Sequence, residues 1–142
     1  MAYSKIIFLD INIVLDMLNP QRVNNKQAIK LWNMLIVNKY TIMISEDMLS
    51  TIFYINKDKK HTLEFFQLIQ NRWQIVPFGK AVLKNAIDLS LEKTLDLEDL
   101  LQCLCAKENG CEVLITNDKK FYNCGVSVCT TEEFLKEENV SK

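Results

Sequence analysis

Hydrophobic positions along this chain alternate between two spacings. Short continuous apolar runs fall at about residues 5–10 (KIIFLD), 40–45 (YTIMIS), 73–78 (WQIVPF), 111–116 (CEVLIT) and 126–130 (VSVCT). Runs of this length and continuity predict strands covered on both faces, as in a parallel sheet. Between them, apolar residues recur at helical spacing. In 24–39 they stand at 28, 29, 31, 32, 35 and 36, one face of a helix. A short helix through Leu15 and Leu18 is stopped by Pro20. Further helices are predicted over 46–56, about 59–71, 80–93, 95–110 and 131–138. Ser45 is placed as the N-cap of the third, with Glu46 and Asp47 in its positive first turn. Gly110 is expected at the C-terminal end of the helix beginning near Leu95, and Thr130 caps the last. Strands alternating with helices predict an α/β fold of three layers, α/β/α, with a mainly parallel sheet of about five strands.

Length adds that 142 residues suit one domain over 1–142, and 3 Gly and 2 Pro leave little room for a disordered linker. No apolar run approaches the roughly 18 residues of a membrane span, and the first residues lack a signal-peptide pattern. A cytoplasmic chain is the expectation. The cysteines, Cys103, Cys105, Cys111, Cys124 and Cys129, are odd in number and contain no C-x-x-C pair. That argues against a disulfide framework and a zinc ribbon, and predicts small buried thiols. A net charge of −1 does not announce a nucleic-acid binder. The local basic stretch NKDKKH at 56–61 reads as a solvated surface. His61 is the single histidine, which excludes hydrolysis by paired histidines. Hydrolytic chemistry here must rest on carboxylates.

The carboxylates sit where such chemistry would need them. Asp10 ends the first strand and Asp118 follows the fourth. In a parallel sheet both reach the carboxyl edge, where open α/β folds bind ligands. The helix before strand four runs opposite to it, so its first turn, with Asp96, Glu98 and Asp99, lies at that same edge. Leu97, Leu100, Leu101 and Leu104 form its apolar stripe, and Asp99 lies nearly opposite the middle of it, towards solvent or the cleft. Taken singly, Asp96 is a natural N-cap and Asp118 fits a turn. Three segments converging on one edge instead suggest a divalent cation, Mg²⁺ or Mn²⁺, held by hard oxygen ligands. Asn12 is a candidate to orient Asp10, and Thr116 to hold a water or a phosphate; backbone capping suits either equally well. Asp16 is read as structural.

The stretches FLDINIVLDML, LEDLLQCLCAKENGCEVLITNDKKF and SVCTTEEFL, in this order and across essentially the whole chain, resemble a PIN domain of the small VapC toxin type. The resemblance implies a metal-dependent endoribonuclease with Mg²⁺ or Mn²⁺ held by Asp10, Asp99 and Asp118. Asn12 and Thr116 match accompanying polar positions. It also implies a cognate antitoxin over the active-site groove and pairing as homodimers. One position departs: Thr51 stands where the family usually carries glutamate in the helix after strand two. Asp47 one turn earlier, Glu46, or Glu98 from the other helix are the candidates to compensate. Two other functions compete. The opening FLDINIV is similar to that of haloacid-dehalogenase-like phosphatases, but their second aspartate is here Asn12, which cannot relay protons. A PIN-like binding module without catalysis would be consistent with Thr51.

Overall fold

A computed structural model describes the backbone of residues 5–140 and the side chains of 5–138. The elements are β1 (Ile6–Leu9), α1 (Ile11–Leu18), α2 (Asn25–Val37), β2 (Thr41–Ser45), α3 (Asp47–Ile55), α4 (Lys59–Gln70), β3 (Gln74–Val76), α5 (Gly79–Lys93), α6 (Leu97–Glu108), β4 (Val113–Ile115), β5 (Ser127–Cys129) and α7 (Thr131–Val140). All strand pairs are parallel, in the order β3-β2-β1-β4-β5. The chain steps from β1 to β2 to β3 in one direction, then crosses back to β4. Right-handed crossovers therefore place α1–α4 on one face and α5–α6 on the other. The core explains the continuous apolar runs. Ile7, Phe8, Leu9, Met43, Ile44, Leu114 and Ile115 are all buried, because helices cover both faces of the central strands.

Both cap expectations for α6 and α7 describe the molecule. Gly110 follows the last turn of α6 with φ +70°, a left-handed backbone that glycine adopts without strain. Thr130 and Glu133 form a reciprocal capping box, each accepting the other's backbone N–H at 3.1 and 3.0 Å.

Four expectations are corrected. Ser45 is not a cap: its backbone belongs to β2, paired with Val76, and its side chain is buried within the sheet layer. The leucine stripe of α6 is not its main core face. The residues of α6 in the main core are Cys103, Cys105 and Ala106, while Leu97 is exposed and Leu101 and Leu104 are half-buried. Leu100 is buried outside that core, as are Val82 and Ala86 of the neighbouring α5. Small residues face the sheet because they let the helix lie close to it. The five-thiol expectation holds only for Cys105, Cys111 and Cys129. Cys103 and Cys124 are joined by a disulfide with their Cα atoms 6.1 Å apart. A separation of 21 residues is invisible to local spacing and is closed when the loop after β4 folds back over α6. Finally, Lys59 in the basic stretch is not merely solvated. Its ammonium donates to the carbonyls of Phe53, Tyr54 and Asn56, closing the C-terminal end of α3.

Candidate active site

β1 and β4 are neighbours, so the two strand-end acids lie at the same sheet edge, near enough for the Asp118 charge to act on Asp10. The ladder itself places Asp10: its backbone N–H donates to the carbonyl of Ile115 at 3.0 Å, one step past the paired Leu9 and Ile115. The next residue already begins α1, so Asp10 has no loop in which to move. Asp10 is 7% exposed, and its side chain does not cap the helix end as a free loop acid would. Thr116 donates its hydroxyl to Asp10 Oδ2 at 2.9 Å. The Asp118 backbone N–H in turn donates to Thr116 Oγ1 at 3.1 Å. Thr116 thus links the two acidic segments. Burial pushes the Asp10 carboxyl above the usual range; the bonds from Thr116 and the Ile11 amide pull it down, and the Asp118 charge adds to the rise.

Asp99 reaches the edge from α6. Asp96 caps that helix, accepting the Asp99 backbone N–H at 3.0 Å, which fixes where the first turn starts. Small residues of α6 face the sheet, and Asp99 lies one turn before Cys103 on that side, half-buried and near enough to feel the charges of Asp10 and Asp118. Its carboxyl is raised to about 6, first by burial and then by the charges of Asp96, Asp10, Asp118 and Glu98. Glu98 is raised too, by burial first and then by Asp47, Asp96 and Asp10. Asp47 at the start of α3 therefore faces Glu98 across the edge. Thr51 is half-buried one turn along α3.

Every charge that shifts Asp10, Glu98 and Asp99 is another carboxylate; no lysine or arginine is among them. Such a cluster is short of positive charge. Among the described residues, no three acidic, cysteine or histidine side chains form a group that could hold an ion. The side chains at this edge are nevertheless of the hard-oxygen kind that suits Mg²⁺ or Mn²⁺. The residues fit such an ion.

Asn12 does not orient Asp10. It is exposed, and its Oδ1 accepts from Arg22 Nη2 at 3.4 Å. Arg22 is itself held by buried Asp16, Nε to Oδ1 2.7 Å, so Asp16 is structural as expected. Asp118 is exposed and also makes a turn, accepting the Lys120 backbone N–H at 2.9 Å. It borders a groove with Asn24, Gln27, Lys119, Thr130 and Lys136. Two buried residues near this edge have no place in the sequence reading of the site: Gln102, and Ser45, which that reading took for a helix cap. A glutamine inside the run LLQCLCA was the available signal.

Known proteins resemble this chain in sequence and in fold. The family profile described as PIN domain matches residues 7–126. Ribonuclease VapC1 of Aquifex aeolicus (strain VF5) is 37% identical over 140 residues, covering 96% of this chain and 97% of the relative. The fold is similar to VapBC2 from Rickettsia felis bound to a DNA fragment from its promoter, with TM-score 0.67 and 20% identity over 88% of this chain and 98% of that one. It is equally similar to a toxin–antitoxin complex from Klebsiella pneumoniae, with TM-score 0.67 and 20% identity over 88% and 97%. Family profile, near full-length relative and shared fold agree: the chain belongs to the PIN-domain family, among relatives of the VapC kind.

Proposed function

We propose that this protein is a divalent-metal-dependent endoribonuclease that hydrolyses phosphodiester bonds of RNA, the toxin of a toxin–antitoxin pair. The observation that carries this reading is the gathering of acids from β1, α6 and the segment after β4 at one sheet edge. Each adds negative charge to the others, and no basic residue is among the groups that shift them. Similarity to a ribonuclease along nearly the whole chain supports the same reaction. Asp10, Asp99 and Asp118 would hold Mg²⁺ or Mn²⁺, with Glu98 and Asp47 alongside. Bound there, the ion supplies an activated water and offsets charge on the phosphate during in-line attack. The chain's own work is placement. Thr116 fixes the Asp10 carboxylate, Asp96 fixes the first turn of α6, and the groove beside Asp118 carries Lys119 as a contact for the RNA backbone.

The partner is a cognate antitoxin, as in the toxin–antitoxin complexes that share the fold. Residues 1–142 act as one domain, in the cytoplasm where RNA is at hand. Among the described residues no helix is long and apolar enough to cross a membrane.

Thr51 favours a second reading, a PIN-fold binding module that has lost catalysis. One experiment separates the two. Calorimetric titration of Mn²⁺ into the purified chain is run beside RNA cleavage in Mg²⁺, Mn²⁺ or EDTA. The ribonuclease reading expects an isotherm and metal-dependent cleavage, both lost in Asp10→Asn. No isotherm and no cleavage in the native chain would leave the module.

A further inference from the structure

Near the acids lie two buried polar side chains with no protein hydrogen-bond partner. Gln102 on α6 is 2% exposed, and neither its amide nitrogen nor its amide oxygen makes a hydrogen bond. Ser45 at the end of β2 is 0% exposed, and its hydroxyl is likewise unpaired. A buried carboxamide is costly unless something satisfies it, and a leucine of similar size would fill the same space without that penalty.

Their placement ties both to the acid site. The β1–β2 register pairs Ile7 with Ile42 and Phe8 with Met43. Continued two residues, it brings Asp10 beside Ser45, and the β1–β4 register brings Asp10 beside Thr116. Laterally paired residues of parallel strands point to the same face. Ser45, Asp10 and Thr116 therefore form a row, and the Thr116–Asp10 bond at 2.9 Å is its visible half. Met43, two residues before Ser45, shares that face and touches Cys111, just beyond the end of α6, sulfur to sulfur at 3.6 Å. The row thus faces α6, which packs against β2. On α6, Gln102 lies three residues after Asp99 and four after Glu98, on the same side of the helix and one turn deeper. An unsatisfied hydroxyl thus stands beside Asp10 in the sheet row, and an unsatisfied amide lies one turn below Asp99 on the helix packed against β2.

We propose that Gln102 and Ser45 hold an ordered water under the acid site, and that through it Gln102 is a positioning residue for the carboxylates that take the divalent ion. Buried waters usually bridge about three otherwise unsatisfied polar groups. Here the amide, the hydroxyl and an acid oxygen provide that number. The inference rests on the metal-dependent reading above and adds to it a residue that does not itself touch the metal.

The test is a calorimetric Mn²⁺ titration of the native chain, Gln102→Leu, Gln102→Glu, Ser45→Ala and Asp10→Asn, with thermal melts of each in EDTA. Residues supporting metal ligands typically change affinity by about 10- to 100-fold, and a loss of that size is expected for Gln102→Leu. Ser45→Ala should weaken binding less. Gln102→Glu, which keeps an acceptor at that depth, should recover affinity relative to Gln102→Leu. The melting temperature of Gln102→Leu in EDTA should stay level, since leucine is of similar size and the amide is lost together with the water that satisfies it. If the native chain binds Mn²⁺, Asp10→Asn does not, and Gln102→Leu binds as tightly as the native chain, the inference is overturned while the ribonuclease reading stands. Should Gln102→Leu fail to fold, Ser45→Ala decides: unchanged affinity there overturns it equally. If the native chain binds no Mn²⁺, both readings fall together.

Discussion

Asp10 and Asp99 are carboxylates at the same edge, yet the fold treats them differently. Asp10 is buried, continues a strand ladder, and takes hydrogen bonds from the Thr116 hydroxyl and the Ile11 amide. Asp99 is half-buried on the first turn of a helix, and all the charges that shift it are negative. The strand-end acid is positioned by hydrogen bonds that exist without any ion. The helix acid is positioned only by its helix and carries repulsion that an ion would relieve. Half of the site is thus built in advance, and half is left electrostatically open to a cation.

The most severe way to break this contrast is to neutralise the open half. Asp99→Asn is expected to lower RNA cleavage by about two to three orders of magnitude or more. Its melting temperature in EDTA should be unchanged or higher, because repulsion is relieved. Cleavage at the native rate would remove Asp99 from the site. The same residue sets a pH dependence. Its carboxyl holds a proton up to about 6 in the folded chain, against an ordinary value of 3.8. The folded state then binds more protons than the unfolded one across that interval. In EDTA, stability should therefore rise as pH falls from above 6 towards 4, and decline as pH rises through 6. Asp99→Asn should flatten that slope; a melt series with equal slopes in both proteins would contradict the assignment.

A smaller effect comes from loosening the prebuilt half. Thr116→Val keeps the shape but removes the donor to Asp10 and the acceptor for the Asp118 amide. Mn²⁺ affinity should fall about tenfold, and the Asp10 carboxyl should move further up. Unchanged affinity on calorimetry would mean that the ladder alone places Asp10. The mildest change sharpens the open half. Thr51→Glu adds an acid on α3, one turn after Asp47. If its side chain reaches the edge, Mn²⁺ should bind several-fold more tightly; equal binding would show that Thr51 lies beyond reach of the ion.

Local pattern carried much of this molecule. Continuous apolar runs marked all five strands, and helical spacing marked the helices between them. A carboxylate directly after a buried strand was readable as lying at the ligand-binding edge, because chain direction in a parallel sheet sends all strand ends to one edge. Helix α6 shows where that kind of reading stops. Its leucines form the obvious stripe, yet Cys103, Cys105 and Ala106 meet the main core. Amphipathicity counts bulk, whereas close approach to a sheet selects small residues. Asn12 fails for a related reason: Arg22, ten residues away, claims its oxygen, and no spacing rule foresees that.

The sequence by itself determined the α/β class, the strand ends that carry Asp10 and Asp118, and the helix start that carries Asp99, because backbone hydrogen bonding and side-chain periodicity are local properties. Only the tertiary structure decided that β1 lies against β4, that Thr116 rather than Asn12 holds Asp10, that Cys103 meets Cys124, and that Gln102 and Ser45 are buried. Those outcomes depend on which faces meet when distant segments pack, and packing is settled by shape and burial across the whole chain.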